Sequence, residues 1–253
     1  MPSLPQYLGN PVLSRIVRIW FRTPVSDTHC GLRAFTKKGL DRMDLRTTGM
    51  ELASEIVMKA ALNGLRTAEI PITLHPDARD RAPHLRSFRD GWRHLRYMLM
   101  MAPNWLFMVP GAMAFLLGSV TIAALLPRPL VIGEVRLDVH TMLLGMAFVL
   151  LGVYLMLLGC FVKAFPFTER LSVERKGFAS SLRHIKLEHG LILGGALVLL
   201  GFAGDLWFLL SWRAGGYGDL AVQTGMRWAI LFTTVVIVGV EVFFASFFMS
   251  MLG

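Results

Sequence analysis

After residue 103 the apolar positions run without a polar face through four stretches, 104–126, 141–162, 191–212 and 228–250. Each is long enough to cross a hydrocarbon core, which needs about 20 apolar residues. Trp105, Trp207, Trp212 and Trp228 fall at or near their ends, where amphipathic rings favour the headgroup region. The pattern predicts four transmembrane helices.

Residues 1–100 alternate on a shorter scale. Val12, Ile16 and Ile19 recur at helical spacing over Pro11 to Phe21, with Arg15, Arg18 and Arg22 beside them. The turn-prone Thr23 to Asp27 follows, and Leu32 to Phe35 reads as a short strand. Glu51 to Leu62, bounded by Gly49 and Gly64, predicts a second helix. Alternation at Ala68, Ile70, Ile72 and Leu74 predicts a strand over Leu65 to Leu74, with Pro71 placing it at an edge or bulge. From Leu85 to Leu99 the apolar residues Leu85, Phe88, Trp92, Leu95 and Leu99 recur at three and four, with Arg86, Arg89, Arg93 and Arg96 on other faces. That is the pattern of an amphipathic helix in a membrane interface. The expected organisation is 1–82 as part of an α/β domain, 83–102 as the interfacial helix and 103–253 as a four-helix membrane domain. Two short strands leave sheet edges uncovered, so the α/β part is expected to need a further covering segment.

Composition separates the same two halves. Only 17% of residues are charged, 54% are hydrophobic and mean hydropathy is +0.54, against about a quarter charged in soluble proteins. A free cytosolic enzyme and a disordered tail are excluded. Of 26 Lys and Arg, 16 precede residue 101. The loop between the second and third stretches holds Lys163, Arg170, Arg175, Lys176, Arg183 and Lys186, whereas the other two hold Arg128 and Arg136, and Arg213 and Arg227. The positive-inside rule therefore predicts a multi-pass protein of the cell's inner (plasma) membrane, with the N-terminal region and C-terminus cytoplasmic. The net charge of +9 then faces the membrane, not nucleic acid. The opening MPSLPQYLGN has no apolar signal region, so the first span is expected to direct insertion. Cys30 and Cys160 are expected to be free thiols.

Asp205 and Glu241 lie within spans, where an acid costs about 2.5–3.5 kcal/mol near the helix centre. One reading makes them part of an ion or proton path, as in a transporter. The other is structural, with Asp205 reaching the outer interface and Glu241 meeting Lys163 at the inner one. Their depths differ by about 10 Å at 1.5 Å per residue, which disfavours a direct pair.

The densest cluster of reactive side chains is SDTHCGLRAF, Ser26 to Phe35. As a metal site it lacks a second His or Cys group at ligand spacing. As an anion site it offers the Arg33 fork, with Asp27 able to orient an arginine or accept a proton. The structural alternative is an Asp that caps a turn and an Arg that pairs with it.

GNPVLSRIVRIWFRTPVSDTHCGLRAF, LRTTGMELASEIVMKAALNGLRTAEIPITLHP and SFRDGWRHLRYMLM, in that order, resemble the C-terminal half of membrane-bound family 2 glycosyltransferases. These include dolichyl- and polyprenyl-phosphate mannosyltransferase-like enzymes. The resemblance covers residues 1 to about 100, and KAF after the second span and KLEHG before the third are similar to the family's membrane domain. It implies the second half of a GT-A α/β domain and inverting transfer from a nucleotide sugar, held through Mg or Mn by an Asp-x-Asp motif, to a polyprenyl or dolichyl phosphate. By position in the family pattern, Asp27 matches the acid beside the reacting centre and Arg33 the arginine of the same motif. Glu55, in MELASE, matches an acid at the start of the family's helix. Arg15, Arg18, Arg89, Arg93 and Arg96 are candidates for holding acceptor phosphate.

No Asp-x-Asp occurs in the 253 residues. Pro11 stands where many relatives carry Arg, and PDARDRAPHLRSF replaces their Gly-x-Ser-Lys-Leu. The expectation is a truncated or split enzyme that handles nucleotide sugar and metal only with a donor domain supplied from elsewhere. The alternative is a non-catalytic scaffold or polyprenyl-phosphate binder. Membrane lipid and polyprenyl phosphate are the expected partners, with oligomerisation left open.

Overall fold

The computed structural model describes residues 4–73, 87–168, 187–215 and 222–252. They form two compact units that divide between Ala102 and Pro103.

The first unit is helical. α1 spans Leu4–Phe21, α2 Lys37–Met43, α3 Leu52–Leu62 and α4 Ser87–Met101. α1 begins about two turns before the expected start, with Pro11 inside it. Proline there removes the bond from its own nitrogen and crowds the carbonyl four residues back, yet the helix continues through it. α3 ends where Gly64 was expected to stop it. Gly64 takes φ +62, its N–H reaches Ala61 O, and Leu65 N reaches Ala60 O, the paired bonds that close a helix through a left-handed residue. α2 was not anticipated; Thr36 caps it by accepting from Gly39 N at 3.1 Å.

Val17 and Phe21 of α1, Val57 and Met58 of α3, Met98 of α4 and Ala102 form the core. This corrects the stripe read from the sequence. Val12 and Ile19 are 51% and 52% exposed, and Leu13, Ile16 and Val17 supply the inward row. The two apolar rows lie side by side on α1, and only packing against α3 and α4 selects one. The two strands expected at 32–35 and 65–74 are also corrected. Leu32 to Phe35 and Leu65 to Ile72 run without ladder partners, and the described part of this unit contains no sheet. Leu32 is 73% and Ile70 82% exposed, and among the described residues neither segment has a strand beside it; Leu74 lies outside them.

The second unit holds four helices long and apolar enough to cross a membrane: Asn104–Leu125, Val139–Ala164, Leu187–Ala214 and Thr224–Met251. The chain is a multi-pass membrane protein. The first begins with one turn of π-helix, Asn104–Met108, and continues as α5, Val109–Leu125. The others lie within α6 Val139–Thr168, α7 Leu187–Ala214 and α8 Val222–Leu252. The first span matches its expected bounds to within a residue, and the other three exceed theirs because helical hydrogen bonding continues past the apolar run.

α5 pairs with α6 and α7 with α8, while α6 also packs on α8. Glycines at heptad spacing allow the close approaches. A Cβ on Gly118 would lie 2.4 Å from Gly145 O, and one on Gly194 2.8 Å from Gly239 O. Small residues let backbones meet where lipid provides no hydrophobic drive for helix association. Ile122, Leu125, Met142, Val149 and Ile230 fill the shared α5–α6–α8 core.

The only strands among the described residues make an unanticipated hairpin between the first two spans. β1 (Leu130–Ile132) pairs antiparallel with β2 (Val135–Leu137) in the register Val131 opposite Arg136. Gly133, at φ +61, makes its turn. Just beyond it, Asp138 Oδ1 accepts from Arg227 Nε and Nη2 at 3.1 and 2.6 Å. Arg227 is only 3% exposed, so this pair ties the hairpin base to the start of α8.

Candidate functional site

The site is built on the turn that follows α1, where Asp27 is exposed. Its Oδ1 accepts from Asn10 Nδ2 at 3.1 Å and from His29 N at 2.9 Å. Among the described residues Oδ2 carries no hydrogen bond. One oxygen is therefore anchored and the other presented, the arrangement of an acid that orients a cation or accepts a proton. The turn is gripped from both sides. Ser14, buried one helical turn after Asn10, accepts from Thr28 N at 3.1 Å. Glu69 accepts from Ser26 N at 2.7 Å and Ser26 Oγ at 3.1 Å. Those bonds hold Glu69 below the usual carboxylate range against the opposing effects of burial and of Asp27.

His29 lies beneath the turn. Its Nδ1 is 2.6 Å from Asn10 Oδ1, and its ring meets that of His94 at a right angle, centroids 4.5 Å apart. Burial first, then the His94 ring and Arg33, lower the His29 pKa to about 4, outweighing Asp27. The imidazole is thus neutral near neutrality. His94, on the inward row of α4 with Asp90 and Met98, bonds Ser54 Oγ through Nδ1 at 2.8 Å. Burial lowers its pKa also, against Glu51 and Asp90.

Arg33 does not present its fork. Nε donates to Cys30 O, Nη1 to Ala53 O and Nη2 to Thr28 O, at 2.9, 2.7 and 2.5 Å. The guanidinium stitches the turn to the start of α3. Glu55 is buried at 0% exposure and similarly committed. It accepts from Arg46 N and Thr47 N at 3.0 and 2.9 Å and pairs with Lys59 at 2.7 Å. Burial raises its pKa, but the Lys59, Thr47 and Arg46 bonds outweigh that and hold it at about 2. Half-buried Tyr97 is pushed above the ordinary phenol value by burial first and then by the Glu55 carboxylate.

The structure thus brings Asp27 and Arg33 together on one turn, and places Glu55 where it fixes the loop before α3. Arg15 and Arg18 are exposed on α1, and Arg89, Arg93 and Arg96 on α4. None of these five is bonded to the Asp27 turn among the described residues. Asn10, Ser14, Glu69 and His94 escaped the sequence reading. For His94 the signal was present, because Asp90, His94 and Met98 recur at four, a row distinct from the apolar Trp92, Leu95 and Leu99. Glu69 had none, as its partner lies 43 residues away. Cys30 and Cys160 are free thiols.

Among the described residues no three carboxylates, imidazoles or thiols converge as a metal seat. With no Asp-x-Asp in the sequence, these residues do not fit the Mg or Mn implied by the family resemblance, and no step runs through a metal here.

Residues 160–253 match the glycosyltransferase family 2 C-terminal transmembrane region. Over an alignment covering the whole chain, the sequence is 33% identical to the low-salt glycan biosynthesis hexosyltransferase Agl6 of Haloferax volcanii. The chain spans 60% of that relative's length. No solved structure matches it. Of the four apolar spans, the last two lie inside the matched region, so the chain carries a membrane segment similar to the C-terminal transmembrane region of family 2 glycosyltransferases.

Proposed function

We propose that this chain is the acceptor-binding and membrane portion of a glycosyltransferase that moves a hexose from a nucleotide sugar to a polyprenyl or dolichyl phosphate at the cytoplasmic membrane face. The observation that carries the reading is the Asp27 turn, with one carboxylate oxygen anchored by two donors and the other open. The relative's printed role in glycan biosynthesis supports the reaction class. A lipid phosphate is already anionic and nucleophilic, so positioning and charge neutralisation matter more than a strong base. Asp27 orients the reacting groups, and the exposed arginines of α1 and α4 attract the phosphate. The nucleotide-binding half and the Asp-x-Asp that holds Mg or Mn come from an upstream segment or a separate polypeptide. The loop charges support placing the first unit, the loop between the second and third spans and the C-terminus in the cytoplasm.

The test incubates membranes carrying the chain and a donor-domain polypeptide with radiolabelled nucleotide hexose and polyprenyl phosphate. Labelled lipid product is expected, and Asp27→Asn should abolish it without altering membrane insertion. Undiminished turnover by Asp27→Asn would sink the assignment. Saturable polyprenyl-phosphate binding without transfer would favour the non-catalytic binder, a reading that the internal commitment of Arg33 and Glu55 supports.

A further inference from the structure

We propose that Asn10 is a positioning residue for this transfer, one amide that orients the Asp27 carboxylate and sets the tautomer of His29. The proposal rests on the reading of Asp27 given above. It follows from the two unlike ends of an amide. A carboxylate only accepts, so the end of Asn10 that lies 3.1 Å from Asp27 Oδ1 has to be the NH2 group. Its oxygen then faces His29 Nδ1 at 2.6 Å and accepts from it, while Ser14 Oγ donates to the same oxygen at 3.3 Å. His29 therefore carries its proton on Nδ1, and the lone pair falls on Nε2, which is buried without a partner among the described residues. The opposite tautomer would set two lone pairs against each other at that 2.6 Å contact.

Asn10 and Ser14 are four apart on α1, so one helix face engages three consecutive residues: the Asp27 carboxylate, the Thr28 N–H and the His29 ring. The only other donor to Asp27 Oδ1 among the described residues is His29 N, two residues along the same turn. That local bond moves with the turn. Asn10 is the contact that fixes the carboxylate relative to a helix, and a rigidly referenced group is what a positioning role requires.

The test uses the full chain in lipid nanodiscs, with the donor-domain polypeptide added for turnover. At neutral pH the ¹⁵N spectrum of His29 should show a protonated Nδ1 and an unprotonated Nε2. Asn10→Ala should give a mixture of tautomers and lower kcat about tenfold, equivalent to about 1.4 kcal/mol, with KM for lipid phosphate unchanged. It should cause no further loss when added to Asp27→Asn. Asn10→Asp keeps the acceptor toward His29 and loses the donor toward Asp27. It should leave the His29 spectrum native, which certifies the fold, and still lower kcat. Full kcat in Asn10→Asp with a native spectrum, or an unchanged His29 tautomer in Asn10→Ala, overturns the positioning role. If either occurs while Asp27→Asn is inactive, the glycosyltransferase reading stands. Undiminished turnover by Asp27→Asn, or no lipid-linked product from the unsubstituted chain, overturns both.

Discussion

Glu55 shows how far a residue's chemistry depends on what folds around it. In the sequence it is an acid at a helix start; in the structure two backbone N–H groups and Lys59 surround it. Its pKa falls from the usual 4.5 to about 2, so its stabilisation is complete above about pH 4.5 and is lost as pH falls through about 2. Glu55→Gln should cost about 3 kcal/mol, because it weakens several bonds to a buried charge and strands Lys59. Thermal midpoints in detergent should record that loss at pH 7 and a flatter acid limb below pH 4.5. His29 acts in a higher window. Its depressed pKa means the unfolded chain binds the proton more tightly between pH 6.5 and about 4, so its contribution to stability declines as pH drops across that range. Ring ¹⁵N shifts should report a neutral His29 at pH 5.5; a protonated ring there would contradict the burial described. The Asp27, His29 and Arg33 cluster was visible in the sequence because its members are neighbours. Their roles were not, since Arg33 is occupied by Ala53 O, 20 residues away.

Elements were legible where one period dominated. The spans were located by hydropathy alone, but which of their faces meet is written in glycines whose significance appears only when helices pair. Gly118→Ala should destabilise the membrane unit by about 1–3 kcal/mol through overpacking against α6. Gly195→Ala should be nearly neutral, since a Cβ there meets nothing within 4 Å. Melting of the two variants in the same detergent decides it. α4 was read with one apolar face and has two working faces. Asp90, His94 and Met98 turn inward, while Trp92 is 56% exposed and Arg89, Arg93 and Arg96 face solvent. If those arginines gather lipid phosphate, replacing all three with Gln should raise KM for it roughly a hundredfold, at about 1 kcal/mol per basic residue near an anionic surface. kcat should stay close to the unsubstituted value.

For the whole molecule, the uneven loop charge makes orientation testable. In a chain with Cys30 and Cys160 replaced by Ser, Glu134→Cys in the hairpin turn should react with an impermeant maleimide on intact cells. Lys176→Cys should react only after permeabilisation, and the reverse pattern would invert the proposed topology. The amino-acid sequence alone determined the division into a basic polar part and four spans, because hydropathy, span length and loop charge are sums over contiguous residues. The motif order carried the family resemblance for the same reason. Tertiary structure decided which stripe of α1 is inward, that the expected strands have no ladder, and that Asn10, Ser14 and Glu69 hold the Asp27 turn. Those outcomes depend on donors and acceptors 14 to 43 residues apart. A hydrogen bond forms between groups that folding brings within about 3 Å, and sequence spacing does not encode that distance.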